Sequence, residues 1–103
     1  MTRDYIFLMH GGSITGGAHT GGWSMYLARL QELGVFQGGG AIGGGRIYSK
    51  GLWSTGISDQ ITGYIRIQAD DLEAARLLLA GNPVFEAGGL VEIRELPRDE
   101  AGE

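Results

Sequence analysis

Asp4-Tyr5-Ile6-Phe7-Leu8-Met9-His10, followed at once by Gly11-Gly12, decides how the rest of the chain is read. These residues favour β structure, and apolar side chains occupy both alternating positions. The run is too short to span a membrane or to form a signal-peptide core. A strand that is apolar on both faces belongs in the middle of a sheet rather than at its edge. Ile61 to Ala69 reads as a second strand, with Ile65, Ile67 and Ala69 opposite Tyr64, Arg66 and Gln68. Leu90 to Leu96 reads as the last, with Val91 and Ile93 opposite Glu92 and Arg94, and Pro97 closes it.

Two helical patterns separate the strands. Trp23, Tyr26, Leu27, Leu30 and Leu33 recur at helical spacing, Ser24, Arg29, Gln31 and Glu32 fill the other side, and Gly34 supplies a stop. Asp70 reads as the N-cap of the second helix, with Asp71 and Glu73 in its first turn, where negative charge suits the helix dipole. Leu72, Ala75, Leu78 and Leu79 form its expected buried stripe, Gly81 and Pro83 end it, and a short turn over 84–89 follows. The remaining strand spans 35–48 and is irregular, because Gly38-Gly39-Gly40 and Gly43-Gly44-Gly45 interrupt it and glycine often marks a bulge. Residues 50–60 read as a loop carrying Gly51 and Gly56.

The resulting order is β-α-β-β-α-β, an α+β fold of the ferredoxin-like, split βαβ kind: a four-stranded antiparallel sheet with two helices on one face. Two helices cover one face of such a sheet, so the other must be solvated, used, or covered by a partner. A face mixing Tyr, Ile and Leu with charge suits a subunit interface.

Composition narrows the function. The chain has 103 residues and a formal charge of -4, without the concentrated basic face of a nucleic-acid binder. Residues 1–97 form one expected domain and 98–103 a flexible acidic tail. The absence of Cys removes disulfides, thiolate nucleophiles and Cys-type metal sites, which leaves a soluble cytoplasmic protein with no membrane partner as the expectation. Of the 20 glycines, 13 lie between Gly11 and Gly45, too clumped for collagen.

Three groups of residues carry candidate chemistry. His10, His19 and Asp59 include two imidazoles and a carboxylate, the materials of an acid–base pair. Ordinary hydrogen-bonded histidines are the favoured explanation of the two imidazoles, and neither a metal nor a cofactor is expected. Gly11 to Gly22 follows a strand and precedes a helix, where bare backbone amides attract anions, and Ser13 and Thr15 add hydroxyls for a small polar or anionic ligand. It lacks Lys, Gly-Lys-Ser/Thr and a Gly-x-Gly-x-x-Gly spacing, so a nucleotide is not indicated. Among the aromatics, Trp23 and Tyr26 fit core packing, with Trp23 also kept as a ligand candidate, whereas Trp53, between Gly51 and Gly56, fits a partner contact or a ligand wall. Tyr64 and Arg66 on the open face complete the ligand candidates, although Arg66, Glu92 and Arg94 also suit cross-strand pairing.

The order of these pieces resembles the YCII-related family, which includes the DGPF-domain proteins. The likeness runs from Tyr5 to Leu96: an apolar first strand, Trp23 with Tyr26, Leu27 to Gly34, Gly38-Gly39, Gly63-Tyr64-Ile65, Asp71 to Ala75, Pro83, and Val91 to Arg94. It implies a homodimer in which two sheets face each other as a dimeric α/β barrel, and a His and an Asp near a pocket in some members. The Asp-Gly-Pro-Phe motif itself is absent, and the first helix has no His. The resulting expectation is a small-ligand-binding or accessory homodimer. The alternative is a small enzyme using a His/Asp pair on a small polar substrate.

Overall fold

The computed structural model describes residues 2–10, 22–45, 47–54 and 61–98. Strand β1 (Arg3–His10) is followed by helix α1 (Trp23–Glu32), strand β2 (Phe36–Ala41), a hairpin of β3 (Ile47–Ser49) and β4 (Leu52–Ser54), and strand β5 (Ile61–Ala69). Helix α2 (Leu72–Leu77), a helical turn α3 (Pro83–Glu86) and strand β6 (Leu90–Leu96) complete it. The main sheet has four strands in the order β2-β5-β1-β6, all antiparallel, so β1 is central as its two apolar faces require. This is the ferredoxin-like arrangement expected from the sequence.

One face of the sheet holds the core. Phe7 stands between Ile65 on β5 and Ile93 on β6, and Met9 between Gly63 and Val91. Tyr5, Phe7, Met9, Ile65, Ile67 and Ala69 are buried there against Tyr26 and Leu30 of α1, Ala75 of α2, and Leu79 and Val84. The even-numbered residues of β1, Ile6, Leu8 and His10, take the other face with Tyr64, Arg66 and Gln68. No described helix or strand packs over that face.

Each helix ends for a local reason. Gly34 adopts φ +76°, and the amides of Gly34 and Val35 bond the carbonyls of Gln31 and Leu30, a left-handed cap that returns Val35 to the core. The N-cap of α2 is Asp71, not Asp70: its carboxylate accepts the amide of Ala74 at 2.8 Å. Leu72 is therefore the first helical residue and remains exposed, and Ala75 and Leu79 carry the buried contact.

Two other expectations are corrected. The segment after α2 is a helical turn, because Asn82 accepts the amides of Val84 and Phe85 and Pro83 supplies a preset φ at its first position. The irregular strand stops at Ala41, and Lys50-Gly51 forms the tip of a separate hairpin, with Gly51 at φ +83°.

Asn82 is fully buried, and its amide nitrogen lies 4.0 Å from the Met9 sulfur. Tyr26 donates its hydroxyl to the carbonyl of Leu78 at 2.8 Å, and burial pushes its phenol above the usual value despite a hydrogen bond with Asn82. Asn82→Ala removes the α3 cap and leaves the amide of Val84 unpaired in a buried place and that of Phe85 in a half-buried one. It is expected to lower stability by about 1–3 kcal/mol, read from the midpoint shift in urea unfolding.

Candidate functional site

The glycine-rich strand lies close against its neighbour. In β2, the register against β5 slips between Phe36 and Gly38, which releases the carbonyl of Gln37 from the ladder to accept Arg66 Nη2 at 2.7 Å. Gly38 has φ +133°, and a Cβ there would stand 2.8 Å from that guanidinium nitrogen. A Cβ on Gly39 would meet the Tyr64 carbonyl oxygen at 2.6 Å, so this close approach of β2 to β5 is reserved for glycine.

A cavity of about 370 Å³ borders this region. Trp23, Leu27, Met9, Phe36, Ile65 and Val84 give it apolar walls, and Gly39, Gly40 and Gly63 contribute backbone without side chains. Thr62 and Tyr64 also belong to the lining, and among the described residues no charged one does. Trp23 meets Tyr26 edge to face, with ring centroids 6.1 Å apart, so the wall residue is braced by the core. Such a space suits a small, uncharged, largely apolar ligand.

His10 lies elsewhere, on the open face at the end of β1. Its Nε2 donates to Glu92 Oε1 at 3.1 Å, and Arg94 Nη1 donates to Glu92 Oε2 at 3.1 Å. These bonds, that of His10 foremost, hold the Glu92 carboxyl below its ordinary value. The carboxylate beside His10 among the described residues is thus Glu92. The signal for it was in the topology: a central first strand places β6 beside it, and the register sets Leu8 opposite Glu92 and His10 opposite Leu90.

At the far end of the same face, Arg98 holds Asp4 through two bonds of 2.8 and 3.2 Å, and Gln68 donates to Asp4 at 3.3 Å. The Asp4 carboxyl is lowered accordingly, chiefly by Arg98. Glu73 and Arg76 form the exposed pair on α2 that their spacing implied.

Of the ligand candidates, Trp23 and Tyr64 line the cavity, whereas Arg66 is turned to Gln37. His19, Asp59, Ser13 and Thr15 lie outside the described residues, as does the side chain of Trp53, whose backbone belongs to β4. Of the cavity walls, Leu27 reads in the sequence as helix core, Phe36 as part of the irregular strand and Val84 as part of a turn.

No family model and no curated protein matches this chain. Among solved structures, it is similar to 5-chloro-2-hydroxyhydroquinone dehydrochlorinase from Burkholderia phenoliruptrix AC1100, in complex with 2,5-dihydroxybenzoquinone. The TM-score is 0.57 over 94% of this chain and 96% of that one, at 15% identity. The likeness is one of fold.

Glu92 supplies a pH test. With its folded value lowered, its contribution to stability is present above the unfolded value and is lost as pH falls through the folded one. Carbon-detected NMR should give a Glu92 midpoint below the ordinary 4.5, moving up towards it in His10→Phe and, by less, in Arg94→Gln.

Proposed function

We propose that this chain is a small-ligand-binding protein that acts as a homodimer of the dimeric α/β barrel type, in keeping with its resemblance to the YCII-related family. The observation that carries the ligand is the apolar cavity beside Trp23, with glycine backbone at three lining positions. Its lining favours an uncharged ring compound over the anion that the glycine loop suggested. The structural neighbour was solved with 2,5-dihydroxybenzoquinone, a single oxygenated ring, which makes such compounds the first to try.

The dimer rests on the open sheet face. Ile6, Leu8, Tyr64 and Leu96 are half-buried on it without any described element above them. A second copy would cover these residues and leave the charged pairs at the margins.

A catalytic reading has its own observation, the His10–Glu92 pair, which has the hydrogen-bond geometry of a base and its orienting carboxylate. It places any reaction on the open face, between protomers, rather than in the cavity. Turnover of a panel ring compound that is lost in His10→Asn, with binding retained, would favour this reading over simple binding.

Thermal-shift and tryptophan-fluorescence titrations with 2,5-dihydroxybenzoquinone and simple phenols test the binding. Trp23→Ala is expected to weaken a positive hit at least about tenfold, equivalent to ~1.4 kcal/mol. Gly63→Val should block the floor, with circular dichroism checking that the sheet is retained. Flat curves across the panel would sink the ring-compound reading. Light scattering on a sizing column should show a dimer that Leu8→Arg converts to a monomer, and a wild-type monomer at high micromolar concentration would remove the barrel.

A further inference from the structure

The β3–β4 hairpin is held by little except itself. Ile47 pairs with Ser54, Tyr48 with Trp53 and Ser49 with Leu52, and no other described element shares a substantial contact with either strand. An isolated two-stranded hairpin is marginally stable in water at best. Its first strand nevertheless presents apolar residues to solvent, with Ile47 at 48% and Tyr48 at 76% exposure. Gly43, Gly44 and Gly45 tether it to β2, and a Cβ at any of them would meet nothing within 4 Å.

Charge separates the hairpin from the rest of the chain. Residues 42–54 hold Arg46 and Lys50 and no Asp or Glu, a charge of +2. The whole chain carries -4, so everything outside that segment sums to -6. A basic, aromatic arm on an acidic body is complementary to a second copy of the same body.

We propose that the hairpin is a dimerisation arm, which leaves its own protomer and packs on a second copy of the chain. The proposal rests on the homodimer reading above and extends that interface beyond the sheet face. Tyr48 and Ile47 supply the apolar contact, and Lys50 at the tip meets the acidic surface. An arm of this size is too small to make a stable interface alone, since a typical one buries roughly 800 Å² per partner. It adds to the sheet contact.

Sedimentation equilibrium on the full chain tests this. Ile47→Asp combined with Tyr48→Asp should weaken dimerisation at least about tenfold, the scale of burying one side chain of this size. Lys50→Glu should weaken it less, and more at low salt than at high salt. Met25→Asp, at a residue 78% exposed on α1, should leave it unchanged. Thermal unfolding checks that the variants keep their core, which the hairpin scarcely touches. If the wild-type chain is a dimer and the arm variants dimerise equally well, the arm proposal fails and the homodimer stands. If the wild-type chain is a monomer throughout, the homodimer fails and the arm with it. A dimer unchanged in strength whose ligand affinity moves in the arm variants would instead make the hairpin a flap on its own cavity, and that too overturns the proposal.

Discussion

A four-stranded sheet has two faces, and α1 and α2 have surface enough for one. This constraint governs the rest of the molecule. The odd-numbered residues of β1 go to the helices and make the core, so Ile6, Leu8 and His10 must face away from it. The molecule is 19 Å across in its thinnest direction, one layer of sheet and one of helix. It therefore keeps an amphipathic surface alongside a finished core, and the proposed dimer answers that surface.

The interior is finished by polar as well as apolar contacts. Asn82 starts α3, approaches Met9 and bonds with Tyr26, which in turn holds the last turn of α2. Arg29 adds a bond to the carbonyl of Ala80 from the exposed side. Together they fix α1 against the segment that returns to β6. Beside this stiff corner, β2 and β5 run close together with glycine where other strands carry side chains, and the cavity is the space left over. Rigid walls next to missing side chains are what a preformed binding site requires.

Much of the fold was legible in the residues. The β1 pattern, the alternation of β5 and β6, and the Trp23-to-Leu33 periodicity each give the right element, because long periodic segments report their own burial. Short elements were harder. Asp70 and Asp71 are chemically equivalent as caps, and only the backbone extension at Asp71 chooses between them. Asn82-Pro83 reads as a helix end and as a helix start, and here the second reading holds. The site was less legible than the fold. Leu27 has the spacing of an ordinary core residue, Val84 reads as part of a turn, and nothing in a lone strand says that Gly63 and Trp23 will line one cavity. His10 and Glu92 are 82 positions apart, and only strand order brings them together.

The bulge at Gln37-Gly38 also affects how the molecule behaves in a crowd. β2 is an outer strand of its sheet, and a flat edge with few side chains would be an open template for stacking against any other extended chain. Here the edge is broken in the middle: the register slips, Gly38 turns out of the ordinary strand conformation, and Arg66 occupies the Gln37 carbonyl. An outer strand already weakened by glycine is thereby made a poorer template still. The irregularity that turns the Gln37 carbonyl to Arg66 thus also breaks the edge that a stacking strand would need.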